Sequence, residues 1–489
     1  MHRLAQLDHR YVWHPFTQMK DWLKQEPIVL VAGHGAVLRD VHGQEYLDAN
    51  SSIWTNLHGH RHPKIDRAIA AQLKKVAHSS ALGFANEPAS LLAEKLVRLA
   101  TPRRSARGGA SKLNKVFFSD DGSTAMEVAL KLSYEFARRT SPSRPPRFLS
   151  LEGAYHGDTI GAVSLGHLDT FHRAYRGLLF QSDRVMAPYC YRCPFNRAKP
   201  ARADARTCRQ CQWECVGLVE RKFEAAAKRQ RPYSAMVIEP QVQGAAGMIP
   251  QPEGWLSKVA AIVRDYGAQI IADEVMTGFG RTGMGKSREG AKTRREIHFG
   301  CQHEGVQPDF LVVAKGLTGG YLPMAATLTT QQVFDAFLGD YAEFKTFFHG
   351  HSFTANQLGA AAACASIDLL SQPSSFRHRG RLEELLGREL ECLWEHPNVG
   401  DVRQVGLVAG IELVKDWRSR KPFGLAERAG IRVCEAMAKH GVLTRPVGNV
   451  VVLMPPYCTT PTQLKRMVTA LSEAIDSEVW PQIDPEPHK

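Results

Sequence analysis

The chain carries five short apolar runs, each closing on a polar or glycine-rich turn: 115–119 (KVFFS), 147–151 (RFLSL), 235–239 (AMVIE), 269–272 (QIIA) and 310–314 (FLVVA). No other feature narrows the fold as much. A strand apolar on successive residues has to be covered on both faces, and helical crossovers between parallel strands supply that cover. Stretches with helical apolar spacing separate the runs. The first of them, DDGSTAMEVALKLSYEFARR, follows KVFFS directly. The predicted fold class is α/β, with a large domain on a mostly parallel sheet whose ligands sit beyond the carboxyl ends of the strands. A chain of 489 residues has room for a second domain. The last third alternates helical stretches (381–394, 426–440) with short strands (408–413, 450–454). That is the pattern of a smaller α+β domain, which the irregular N-terminal residues join. The expected divisions are 1–75, 76–345 and 346–489.

Composition removes other classes. No apolar run is long enough to span a bilayer, and MHRLAQLDHRYVWHPF lacks the apolar core of a secretory signal. A cytoplasmic enzyme with no membrane partner is the expectation. The net charge of +13 raises nucleic acid as a partner. The excess falls in short clusters: Arg103, Arg104 and Arg107; Arg138, Arg139, Arg144 and Arg147; and 286–295. Mixed with Ser, Gly and Pro and without a binding motif, they read as solvated loops, and no nucleic acid is expected. Of ten cysteines, Cys364 and Cys434 fall in apolar helical stretches and read as small core residues. Cys190-x2-Cys193 and Cys208-x2-Cys211 have the spacing of structural zinc ligands, with Cys215 as a substitute. The same thiols also suit a metal-free, loop-rich basic insertion, and the sequence leaves both readings open.

The ends of the apolar runs hold the chemistry. Asp273 follows QIIA, where a carboxylate is costly without a cationic partner. Capping a helix is its ordinary alternative. Lys315 follows FLVVA and enters a glycine-rich turn. A lysine there loses hydration, its pKa falls, and the amine can react with an aldehyde; a snorkelling side chain is the plainer reading. Gly122 and Ser123 lie at a turn into a helix, where backbone amides and a hydroxyl cradle phosphate or simply cap the helix. Tyr155, in a glycine-bounded loop, is placed to stack on a planar ring or to pack in the loop. Each signal is modest alone. Together they supply what pyridoxal 5'-phosphate needs: a phosphate anchor, a ring platform, a carboxylate for the ring nitrogen and an amine for the aldehyde.

Nine segments occur in order: WHPFTQM from Trp13, HGHRHP from His58, DGSTAMEVALK, YHGDTIGAVS, IEPQVQGAAGM, ADEVMTGFGRTG, AKGLTGGYLPMAA, FFHGHSFTANQLG and LTRPVGNVVVLMPP. Over nearly its whole length the chain resembles the class III pyridoxal-phosphate aminotransferases. Among these it is similar to the branch that converts 8-amino-7-oxononanoate to 7,8-diaminononanoate for biotin. The resemblance implies the fold-type I architecture, with a small domain built from both chain ends. It implies that Lys315 links to the cofactor and carries the proton, Asp273 meets the ring nitrogen, Gly122 and Ser123 hold phosphate, and Tyr155 stacks. It implies a homodimer in which Ser352, beside His351, reaches the neighbouring subunit's cofactor. Phe16, Ile53, Gly350 and Arg445 would line the substrate site, Arg445 binding the acceptor's carboxylate. Arg281 would be a second arginine of the cleft.

Four segments depart from the members that use S-adenosylmethionine: Phe16 for Tyr, Ile53–Trp54 for a Trp pair, His351–Ser352 for Pro-Thr, and Val452 for Tyr. Fewer aromatics suit an adenine ring less, and HGHSF with RPVGNVVV is similar to the branch using L-lysine. Either donor is expected. A class III enzyme for ω-amino acids or diamines would share the cofactor residues and differ at Arg445 and WHPFTQM. A binding protein without turnover is opposed by Lys315 and Asp273.

Overall fold

The computed structural model describes residues 1–101, 113–141, 145–285 and 295–479. Arg103, Arg104, Arg107, Arg144 and 286–294 of the basic clusters lie outside the described residues. At the centre is a seven-stranded sheet: β1 (Leu113–Ser119), β2 (Phe148–Leu151), β3 (Asp183–Val185), β4 (Ala235–Ile238), β5 (Gln269–Asp273), β6 (Phe310–Val313) and β7 (Ala325–Thr330). The spatial order is β1-β7-β6-β5-β4-β2-β3. Neighbours from β6 to β3 pair in parallel, and β7 runs antiparallel to both β6 and β1. All five apolar runs become strands of this sheet.

Side-chain alternation sorts the strand residues into two layers. Val237, Ile271, Phe310 and Val312 meet Ala125, Met126 and Ala129 of the helix Gly122–Thr140. Met236, Ile238, Ile270, Ala272, Leu311 and Val313 face the other way, toward Trp255, Val259 and Val263 of the helix Trp255–Asp265. Both faces are therefore buried, the condition that produced the uninterrupted apolar runs.

The antiparallel β7 escapes the apolar-run criterion because it reads AATLTT. Its threonines are buried and bonded: Thr327 Oγ1 donates to the Ala125 carbonyl at 2.7 Å and Thr329 Oγ1 to that of Asp309 at 3.1 Å. A second, antiparallel sheet is built from Val399–Val405, Val408–Asp416, Val450–Leu453 and Pro446–Val447. The N-terminal strands Leu30–His34, Val37–Asp40 and Glu45–Asp48 form a third sheet, to which Val442–Leu443 adds in parallel. An N-terminal and a C-terminal segment of the chain thus share one sheet.

Two expectations are corrected. The helix placed at 381–394 begins earlier, as Pro373–Leu390, and ends in a 3-10 turn, Glu391–Glu395. Its first turns read PSSFRHRG and lack apolar periodicity, but Pro sits at the start, where its missing N–H costs nothing. The arginines 138, 139 and 147 are not solvated loop residues. Arg138 and Arg139 close the helix Gly122–Thr140, Arg139 bonds Glu135 at 3.0 Å and lies over Phe337, and Arg147 pairs with Asp183. Among the described residues no helix is long and apolar enough to cross a membrane.

Candidate active site

Adjacent parallel strands deliver their C-terminal ends to one edge of the sheet. Asp273 is the last residue of β5, and Lys315 opens a 3-10 turn just after β6. Glu239 follows β4, and Tyr155 and His156 follow β2. Beyond β1, the helix Gly122–Thr140 starts with an Asp121 cap whose side chain accepts from Thr124 N.

Lys315 is held with φ 44°, in the left-handed region that only an over-determined backbone imposes on a side-chain-bearing residue. Its Nζ lies 4.6 Å from the centre of the Trp54 ring. Loss of hydration is the main influence on this amine and brings its pKa down to about 8, while the Asp273 and Glu239 carboxylates oppose the fall. Trp54 reaches the lysine because Ser51, Ser52, Ile53 and Trp54 all have positive φ, a single left-handed turn. Asp48 fixes that turn. Its Oδ1 accepts from Ser52 N at 2.9 Å, and its Oδ2 bonds Ser52 Oγ at 2.8 Å and His60 Nε2 at 3.1 Å. Burial pushes the Asp48 carboxyl up, but these bonds outweigh it and hold it below its usual value.

Behind Asp273 stands a buried acid–imidazole–acid group. Asp273 Oδ2 bonds His156 Nδ1 at 2.7 Å, and Asp273 Oδ1 accepts from Val275 N at 3.1 Å. Burial disfavours a charged His156, yet the Asp273 bond and charge win, with help from Glu239, and its pKa is raised. Glu239 is pushed up to about 7, mainly by burial. Its oxygens accept from Gly244 N at 2.9 Å and Tyr155 N at 3.5 Å. The Asp273 carboxylate, bonded to the His156 imidazole, closes its strand at the sheet edge and is suited to a cationic ring nitrogen.

The residues present fit pyridoxal phosphate. A Cβ on Gly122 would stand 2.8 Å from Val275 Cγ1, so only glycine leaves the entrance of the helix clear. Ser123 Oγ bonds Thr159 Oγ1 at 2.7 Å and accepts from Thr159 N at 2.9 Å, which holds it at the amide-lined helix start. The His156 Nε2 and Trp54 Nε1 atoms are buried without a hydrogen-bond partner. Tyr155, half-buried, donates its hydroxyl to Asp158 at 2.7 Å and stacks on His172 at 6.0 Å. Burial is the main cause of its raised pKa, so the phenol stays protonated.

Phe16 lies edge-on to Tyr155 at 6.4 Å and to Phe171 at 5.1 Å, while Ile53 stands exposed beside Trp54. Gly350, His351 and Ser352 precede the helix Gln357–Leu370 on an outer segment. The His351 amide bonds Thr354, and the Ser352 carbonyl accepts from His78. Arg445 stands exposed between Val442–Leu443 and Pro446–Val447. Arg281 does not open to a cleft: it is 1% exposed, and its Nη1 and Nη2 donate to the carbonyls of Pro455 and Asn56 at 2.8 and 2.7 Å. Val452 is likewise a core residue, packed with Met276 and Met454 under Trp54. Reading the sequence for strand ends missed His156, Glu239 and Val275. The first two adjoin Tyr155 and the AMVI run, so their place after a strand was the available signal.

The family model described as Aminotransferase class-III matches residues 19–475. A curated relative from Geobacter sulfurreducens, named adenosylmethionine-8-amino-7-oxononanoate aminotransferase, is 46% identical over 96% of this chain and 97% of its own. A crystal structure of the enzyme of that name from Methanocaldococcus jannaschii superposes with TM-score 0.85 at 37% identity, covering 97% of this chain and 99% of that one. The omega transaminase of Pseudomonas jessenii in complex with PMP gives TM-score 0.85 at 26% identity, over 98% and 100%.

Proposed function

Because the chain belongs to the class-III aminotransferases, fold-type I enzymes that depend on pyridoxal phosphate, we propose that it transfers an amino group to 8-amino-7-oxononanoate, giving 7,8-diaminononanoate for biotin. The observation that carries the chemistry is the convergence of Lys315, Asp273 and the Gly122–Ser123 helix entrance at one sheet edge. The relatives' names support the acceptor.

Gly122 and Ser123 would hold the phosphate, Asp273 the ring nitrogen and Lys315 the aldehyde carbon, with Val275 and Tyr155 bordering the ring. Bound there, the cofactor supplies an aldehyde for amine exchange and a ring that draws electrons from the substrate carbon. The Asp273 carboxylate, held by the bond to His156, would favour a protonated ring nitrogen. Lys315 Nζ would take the proton from the amine-bearing carbon and deliver it to the carbon that enters as the cofactor's aldehyde, a role that needs a neutral amine and is favoured by the loss of hydration that brings its pKa down to about 8. Trp54 covers this amine and limits its contact with water. Arg445, exposed just before Pro446–Val447, would receive the acceptor's carboxylate.

S-adenosylmethionine is the donor in the relatives' names. L-lysine is the second reading, favoured by Phe16, which brings a ring without a hydroxyl to Tyr155, and by the single Trp54 beside Ile53. Val452 reaches the donor only through Trp54. The enzyme is read as a cytoplasmic homodimer: the segment carrying Gly350 to Ser352 is outermost, near exposed Phe348 and Phe353, and a second copy would cover it. Incubating the cofactor-loaded protein with 8-amino-7-oxononanoate and each donor in turn tests these readings. Mass spectrometry should detect 7,8-diaminononanoate with one of them. Product with neither would refute the substrate assignment.

A further inference from the structure

The five clustered cysteines take no part in the site described above. They lie in and just after the connection 186–213, between β3 and the helix Glu214–Lys228, whose regular structure is a single 3-10 turn, Cys190–Arg192. Connections this long without their own secondary structure are uncommon and need something to hold them. From outside, arginines tie this one to the second sheet. Arg192 Nε bonds Glu412 at 2.6 Å, Arg202 donates to the carbonyls of Val399 and His396 at 2.8 and 2.6 Å, and Arg206 donates to that of Gln404 at 2.7 Å.

Inside, the two ends of the connection fold back on each other. Arg197 N donates to the Gln210 carbonyl at 3.0 Å, and Gln210 N to Asn196 Oδ1 at 2.9 Å. The fold brings Cys190, Cys193, Cys211 and Cys215 around one small cavity of about 10 Å³, the size of a single ion or water. Cys208 is not among them; its thiol turns to the Asp204 carbonyl at 3.7 Å. The structure therefore replaces the second CxxC pair with Cys211-x3-Cys215.

We propose that Cys190, Cys193, Cys211 and Cys215 bind a structural zinc ion that staples the two ends of this connection. Four thiolates around an ion-sized space are the donor set of a closed zinc site, and soft sulfur selects zinc over harder cations. None of the four is in a disulfide. Arg209 donates to Cys211 Sγ at 3.2 Å while lying 3.9 Å over the Trp213 ring, which places a cation against the negative charge of a thiolate site. Binding then forms four Zn–S bonds and releases the four thiol protons to solvent, with no change of oxidation state. Among the described residues no three His, Cys, Asp or Glu side chains already stand in ligating positions. The thiols must turn inward by a change of rotamer, and Cys193 and Cys211 are only partly buried.

The test is elemental analysis of the cofactor-loaded protein, purified under reducing conditions without chelator. About one zinc per chain is expected. It should be lost in Cys193→Ser and Cys211→Ser and kept in Cys208→Ser. Should those variants fail to fold, the wild type still decides. Titration with a mercurial should release zinc in step with thiol modification, and cobalt replacement should give thiolate-to-metal charge-transfer absorption. Reduced wild-type protein that neither carries nor takes up zinc would overturn the proposal. So would zinc retained in Cys211→Ser but lost in Cys208→Ser, or a disulfide among the four cysteines in the purified protein.

Discussion

Lys315 differs from an ordinary surface lysine because its amine is desolvated beside Trp54. Lys315→Ala should lower turnover by roughly 10²- to 10⁴-fold, the range for losing a positioned acid–base group, with folding unchanged by circular dichroism. In the cofactor-free protein, labelling of this amine by an aldehyde reagent should rise through a pH of about 8 rather than near the usual lysine value. Asp273→Asn should lower turnover by about 10²-fold or more while leaving substrate KM little changed, because the charge acts on the reacting state. The His156 linkage has a definite sign. Its folded pKa is raised, so its stabilising effect is complete below the unfolded value of about 6.5 and is lost as pH rises through the folded value. The melting-temperature gap between cofactor-free wild type and His156→Gln should therefore be widest in acid and shrink with increasing pH.

At the scale of elements, the helix Gly122–Thr140 and strand β7 carry the clearest consequences. Gly122→Ala drives a methyl group against Val275, and overpacking of that kind costs about 1–3 kcal/mol. Cofactor affinity should fall with stability, measured by titration and thermal melting. Thr327→Val removes the bond to the Ala125 carbonyl and should cost about 1 kcal/mol without touching activity. These two elements also show where the sequence was readable. Strands buried on both faces announce themselves through FLVVA or AMVIE, and so Lys315 and Asp273 could be placed at strand ends. β7 buries threonines whose hydroxyls are satisfied by bonds that form only in the folded chain, so AATLTT carries no apolar signal. The left-handed turn Ser51–Trp54 was invisible for a related reason. No residue in SSIW prefers positive φ, and the turn exists because Asp48 and the Ser51 Oγ bond to the Met454 carbonyl impose it. Arg281 shows the reverse: a motif arginine whose burial under two carbonyl bonds no local pattern reveals.

For the whole molecule, the large sheet ends in the residues proposed to hold the cofactor, Arg445 stands just before Pro446–Val447 of the second sheet, and the N-terminal strands pair with Val442–Leu443. In the dimer proposed above, Ser352→Ala is expected to weaken cofactor binding by about tenfold, the order for losing one hydrogen bond to a charged group, with wild-type sedimentation kept in analytical ultracentrifugation. A monomeric wild type would remove the basis of that prediction. The chemistry as a whole rests on one amine at one sheet edge. Reducing the cofactor-loaded protein with borohydride, digesting it and mapping the cofactor by mass spectrometry tests that directly. The reduced cofactor should be found on Lys315 alone; finding it on another lysine, or on none, would contradict the assignment of the site.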